Sequence, residues 1–227
     1  MSIRIPVRAL ANFMTSSSLT QRTVLRNNKY PKTIDGHTRP QIVRYSEAKA
    51  AIKKYHKSNN DISVLMDALE RLSRKAEYIL AHPVDEQGRP KDGSRLNDNI
   101  RALHGYMKFF SANKFTVLST PNLKYTHGNV DVGASLDLYV KERDKYKLIK
   151  IDLSIVTPKK EIIDIILKVT VEAAGSLTMP VLPKDVIYVD VERHVVYNGS
   201  KLGKGLKKNI DAACENIESL WPGIKQQ

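Results

Sequence analysis

The chain is poor in several things, and each shortage closes off a class of function. Among 227 residues there is one cysteine, Cys214, which excludes an internal disulfide and a cysteine-based zinc site. A lone cysteine suits a reducing compartment, and a cytoplasmic location is expected. The six histidines are scattered, without metal-ligand spacing. His104 and His127 have no serine or cysteine partner at a readable spacing, so a hydrolase triad is not supported. No apolar run approaches the roughly 18 residues of a membrane span. The longest candidate, near 162–171, is interrupted by Asp164 and Lys168, and no membrane association is expected. A Gly-rich phosphate loop is missing too. Gly199, Gly203 and Gly205 stand among Lys201, Lys204, Lys207 and Lys208, but without Walker A spacing. That stretch reads as a basic surface at a helix start, with phosphate contact as a secondary use.

Acid is missing where base is abundant. The net charge is +13, and residues 1–34 contain no Asp or Glu. Residues 1–50 hold nine Lys/Arg against two acids, whereas residues 151–200 hold five against seven. The basicity therefore belongs to the front of the chain. Lysine and arginine gain from displacing counterions off phosphate, so nucleic acid is the expected partner, with Arg4, Arg8, Arg22, Arg26, Lys29 and Lys32 as its contacts. The alternative is a solvated surface tuned for solubility. An acid-free start containing Arg and Ser also has the composition of a mitochondrial presequence; its apolar residues are read instead as structured.

The order of elements follows from periodicity and caps. A short helix is expected over Ile5–Met14, with Pro6 in its first turn. A second, Leu19–Arg26, follows the Ser16-Ser17-Ser18 break, with Ser18 as cap. The pair is read as a helical hairpin packed on the body in preference to a helix-turn-helix. Ile42, Ala48, Ile52 and Tyr55 mark a helix over Gln41–Lys57. Asp61 caps another, Ile62–Leu80, whose stripe of Ile62, Leu65, Met66, Leu69, Leu72, Ala76 and Ile79 predicts a buried face. Residues 81–93 form the clearest loop. This gives a basic helical part at 1–80 and a second module at 94–227. The second module begins with a helix from Ser94 to about Ser111. A strand starting at Phe115–Leu118 and resuming toward Tyr125 comes next. It is followed by strands over Asp131–Val140 and Lys147–Ile155, a helix over Lys159–Ala174, a strand over Asp185–Val191, a short strand at Val195–Tyr197, and a helix over Leu206–Leu220. Tyr125, Tyr139, Tyr188 and Tyr197 fall on strands, where tyrosine is ordinary filling.

Chemistry concentrates in the two acidic strands. Side chains of a strand repeat every second residue, so Asp131, Ser135 and Asp137 share one face and Lys150, Asp152 and Ser154 share another. Strands lie ~4.8 Å apart, and Asp137 and Asp152 are expected within reach of one divalent metal, Mg²⁺ in particular. The bland reading is a pair of solvated acids, or a cross-strand pair of Asp137 with Lys150.

This order of helix, three strands, helix and strand, with Asp137 in Gly133-Ala-Ser-Leu-Asp137-Leu on the second strand and Asp152 on the third, resembles the PD-(D/E)XK, or restriction-endonuclease-like, superfamily over about residues 94–198. The resemblance implies an α/β protein: a helical N-terminal part followed by a nuclease-like core with a mixed sheet flanked by helices. It also implies metal binding by Asp137 and Asp152. The family places lysine two residues after the second acid; here that position is Ser154. Lys150, on the other side of Asp152, is roughly 13 Å from the expected place by strand spacing. Lys168, on the following helix, is the other substitute, or else a surface ion-pair partner of Asp164 or Glu172. The first helix of the core carries Asn97, Asp98 and Asn99 where active members often have glutamate. These departures make a nucleic-acid-binding protein on a degenerate nuclease site the leading expectation. A Mg²⁺-dependent nuclease with a displaced catalytic lysine is the rival. A protein-interaction scaffold in a regulatory or defence complex is the third reading, and a protein partner or self-association is compatible with the chain.

Overall fold

The computed structural model describes residues 2–31, 33–34, 37–38, 44–86, 88, 93–156 and 158–226. Two predicted features, Lys32 and Ile42, lie outside the described residues. In chain order the elements are β1 (Ile3–Pro6), α1 (Val7–Met14), α2 (Ser18–Lys29), the two-residue strands β2 (Thr33–Ile34) and β3 (His37–Thr38), α3 (Ser46–Lys57), α4 (Ser63–Ala81), α5 (Ser94–Phe109), β4 (Thr116–Val117), β5 (Leu123–His127), β6 (Val130–Ala134), β7 (Leu138–Glu142), β8 (Lys145–Asp152), α6 (Lys160–Ala174), β9 (Val186–Asp190), β10 (Val195–Asn198) and α7 (Leu206–Leu220). The protein is α/β. Among the described residues no helix is long and apolar enough to cross a membrane.

Two main sheets share the work. One runs β1-β6-β5, and the other runs β10-β9-β8-β7-β4. In the larger sheet β8 and β9 are parallel, as a strand–helix–strand passage through α6 allows, and β7 is antiparallel to β8. The strand expected over Asp131–Val140 is in fact two. β6 pairs with β1 and β5, the chain turns at Ser135–Asp137, and β7 pairs with β8 and β4. The preceding strand divides in the same way into β4 and β5, one for each sheet.

Two apolar cores lie on either side of the larger sheet. Alternation along β8 feeds both: Leu148 joins one core, and Ile149 and Ile151 join the other. The first core gathers β1, α1, α2, β5, β6, α6 and α7 through Ile5, Leu10, Leu25, Val132, Ile163 and Ile210. The second gathers α3, α4 and α5 on the sheet through Ile52, Leu65, Leu72, Leu103 and Ile149. Residues 1–80 are thus not a separate body. The helix expected over Ile5–Met14 begins only at Val7: Ile5 and Pro6 belong to a strand, Ile3–Pro6, parallel to β6, with Ile3 and Ile5 in the first core.

The α4 stripe is narrower than its periodicity predicts. Leu65, Ala68 and Leu72 are buried, while Ile62 and Met66 are 45% and 58% exposed. The helix buries one narrow seam, Leu65, Ala68 and Leu72, and Ala76 and Ile79 are half-buried. Asp61 does cap it, its Oδ1 accepting the Ser63 N–H at 3.0 Å.

Candidate functional site

The site forms where the chain passes from one sheet to the other. Asp137 stands just before β7. Its backbone N–H donates to the Ile149 carbonyl at 3.0 Å. Its Oδ2 accepts the Ile151 N–H at 2.8 Å. The carboxylate therefore takes a ladder hydrogen bond at the point where β7 begins, satisfying a backbone donor on a buried residue. The β7–β8 register pairs Leu138 with Ile149, so Asp137 falls opposite Lys150 rather than opposite Asp152.

Two lysines converge on that carboxylate. Lys49 Nζ lies 2.7 Å from Oδ1, and Lys150 Nζ lies 3.3 Å from Oδ2. Register brings the Lys150 ammonium to Asp137. Lys150 also donates to Ser135 Oγ at 3.3 Å. Burial is the largest influence on its titration and holds the amine below the ordinary lysine range, with Lys49 acting in the same direction and Asp137 and Asp152 opposing it.

Lys49 comes from α3, and α5 holds that helix in place. Asn99, fully buried, accepts the Ala48 N–H at 2.8 Å and donates to the Arg44 and Arg95 carbonyls, both at 2.8 Å. The Ala48 N–H is one of the orphan donors of a helix start. Asp98 pairs with Arg44 just before the same helix. The Asn97-Asp98-Asn99 segment therefore anchors the helix that carries Lys49.

Asp152 ends β8. Its Oδ1 accepts the Ser154 N–H at 2.9 Å and the Ser154 hydroxyl, and its Oδ2 accepts the Tyr188 phenol. Burial first, and Asp152 second, push the Tyr188 phenol above its ordinary value, so it remains a donor. Ser154 turns back on the acid through both its N–H and its hydroxyl. Arg8, Tyr45, Lys49, Lys150, Asp152 and Tyr188 line a cavity of about 290 Å³ here.

Asp137, Lys150 and Asp152 are thus brought together, Lys150 sensing both acids. Lys168 pairs with Glu172 on its own helix at 2.6 Å and lines none of the described depressions. Of the basic front, Arg8 lines the cavity, Arg4 lines the neighbouring depression, and Arg22 is exposed on α2. Arg26 is half-buried. Lys29 donates to the Trp221 and Ile224 carbonyls at 2.7 and 3.1 Å, tying α2 to the C-terminal turn. Lys49 and Tyr188 were missed in the sequence: a lysine on a basic helix and a tyrosine on a strand carry no local mark of a site. Among the described residues no three His, Cys, Asp or Glu side chains gather in a way that could hold a metal ion.

Compared with protein-family models, curated proteins and solved structures, the chain matches none of them.

Proposed function

We propose that this protein binds nucleic acid and that the cavity beside Asp137 receives a backbone phosphate. The carrying observation is the convergence of Lys49 and Lys150, from a helix and a strand far apart in sequence, on one carboxylate at a cavity that Arg8 also lines. Three cations against Asp137 and Asp152 leave the cavity net positive. Asp137 holds two ammonium groups side by side despite their repulsion, and a phosphate that meets both gains charge-assisted hydrogen bonds. The net charge of +13 supplies the long-range attraction. Every oxygen of the two aspartates already accepts from a protein donor. In this reading the acids position cations and backbone, and the protein binds without cutting.

A second reading is a Mg²⁺-dependent phosphodiesterase, favoured by the depressed Lys150 beside Asp137. A buried amine that gives up its proton more readily than usual can accept one from an attacking water. Magnesium is held by one or two carboxylates together with substrate phosphate, and Asp137 and Asp152 supply that number once Lys49 and Tyr188 release them. The ion would contribute Lewis-acid charge.

One gel separates these readings. Labelled single- and double-stranded DNA and RNA are incubated with wild type, Lys49→Ala, Lys150→Ala and Asp137→Asn, in Mg²⁺, Mn²⁺ or EDTA. The proposal expects shifted, uncut nucleic acid with wild type, weakened in both lysine variants. Metal-dependent cutting lost in Asp137→Asn would establish the second reading. No shift and no cutting at low salt would sink both and leave a protein-interaction scaffold.

A further inference from the structure

We infer that the ligand is a single strand lying along one continuous basic track, from the junction of the two sheets, past the Lys150 cavity and along α3, to the face of α4 that carries Arg71, Arg74 and Lys75; this rests on the reading of that cavity as a phosphate contact. Five depressions adjoin in series by sharing lining residues. The first, about 540 Å³, takes in Arg4 and Lys124. Pro6 and Ser135 line both it and the Lys150 cavity. Lys49 and Ile151 line that cavity and a third depression, of about 190 Å³, which adds Lys53. Ala50 joins the third to a fourth, about 280 Å³, between α3 and α4 with Lys54 and Arg71. Asp67 and Arg71 join the fourth to a fifth, about 510 Å³, with Arg74 and Lys75. In each of the five, lysine and arginine outnumber carboxylates among the lining residues.

The form of the track selects the ligand class. A small molecule occupies one pocket of about 300–1,000 Å³; five linked depressions of one sign suit a polyanion. On α3, Lys49 and Lys53 are four residues apart, as are Ala50 and Lys54, so each pair forms a row along the helix with ~6 Å between members. Lys49 and Lys150 are about three-quarters buried, with side chains 26% and 23% exposed, so a phosphate must enter the surface to reach them. A duplex is stiff and holds its backbones on a cylinder. A single strand can bend to follow a narrow groove and set its bases against aromatic faces. Tyr45 and Tyr78 line the track at two separate points. The contacts are to backbone and ring faces, so little sequence preference is expected.

The test uses the part of the track between α3 and α4, away from Asp137 and Asp152. Lys54 and Arg71 are exposed, and Lys54→Glu/Arg71→Glu leaves both cores untouched. Affinity is measured against salt for single strands of about 16 and about 4 nucleotides, the ends of the range of single-strand site sizes, and for a duplex of the longer sequence. Wild type is expected to prefer the long single strand to the duplex. The double variant should bind the long strand at least about tenfold more weakly, with the slope of log K against log salt reduced by about 1.4 for two lost cations. Its binding of the short strand at the Lys150 cavity should change far less. Tighter binding of duplex, or equal losses for long and short strands, overturns the track while leaving nucleic-acid binding in place. No binding of any nucleic acid by wild type at low salt overturns both.

Discussion

Asp137 accepts the backbone N–H of Ile151 at 2.8 Å, and Ile151 is 1% exposed. The side chain that looks most like a metal ligand in the sequence is also part of the sheet. Asp137→Ala leaves a buried donor without its acceptor, at a cost of about 1–3 kcal/mol, and leaves Lys49 and Lys150 facing each other uncompensated. Asp137→Asn keeps an acceptor for Ile151 and removes only the charge. In urea denaturation the alanine variant should therefore be clearly less stable than the asparagine variant. Equal stabilities would mean that the Ile151 bond contributes nothing. The comparison also decides which variant is fit for activity assays, because lost function in Asp137→Ala is confounded with lost structure.

Lys150 gives the binding reaction a pH dependence. Its folded amine releases its proton below the ordinary lysine value of about 10.4. As pH rises through that depressed value the ammonium becomes neutral and the phosphate contact weakens, before the surface lysines titrate. Affinity measured at fixed salt should fall on the alkaline side while the remaining lysines are still charged. Lys150→Arg should abolish that early fall, since guanidinium does not deprotonate. A wild-type profile that matches the arginine variant would remove Lys150 from the phosphate site.

Local pattern carries some of this fold and, of its convergence, only the cross-strand pairing of Asp137 with Lys150. The helix Leu206–Leu220 is recovered at both ends, because its apolar period is complete within itself. The Asp61 cap is legible because Asp61 and Ser63 are neighbours. The break at Ser135–Asp137 is not legible. Alternation continues through it, and a period of two is blind to which strand lies alongside. β1 is hidden for a similar reason. Ile3-Arg4-Ile5-Pro6 is too short to declare a strand, and only pairing with β6, far along the chain, makes it one. The α4 stripe overstates burial because periodicity reports what a helix could cover, not the width of the surface it meets: Met66 is exposed beside buried Leu65. Lys49 lies 88 positions from Asp137, and nothing in its own helix separates it from Lys53 or Lys54.

Asn99 should act on binding through Lys49. It joins α5 to the start of α3 by two hydrogen bonds, to Ala48 and Arg44, and truncation leaves the Ala48 N–H without its acceptor. Asn99→Ala is expected to destabilise by about 1–3 kcal/mol and to weaken nucleic-acid binding at temperatures where the protein remains folded. A double-mutant cycle distinguishes positioning from general loosening. If Asn99 serves to place Lys49, Asn99→Ala should add little to the binding defect of Lys49→Ala. Fully additive binding losses would mean that Asn99 affects the track by another route.

His56 sets an acid limit on stability. The ring is 2% exposed, with Nδ1 2.6 Å from Asn60 Oδ1 and Nε2 2.6 Å from the Tyr106 hydroxyl. The amide oxygen can only accept, so Nδ1 carries the proton and Nε2 accepts from Tyr106, whose phenol burial keeps protonated. Burial lowers the His56 pKa, so below about 6.5, the ordinary histidine value, the unfolded chain binds a proton that the folded chain refuses. The contribution is complete above that pH and is lost as pH falls toward the depressed folded value. The limiting slope for one proton is about 1.4 kcal/mol per pH unit. Stability from urea denaturation should fall between pH 7 and pH 5 more steeply in wild type than in His56→Gln, although the variant is less stable at pH 7. Tyr106→Phe removes the donor to Nε2 and should raise the folded histidine pKa, flattening the dependence in the same sense. Parallel pH profiles for all three proteins would place the acid sensitivity elsewhere in the chain.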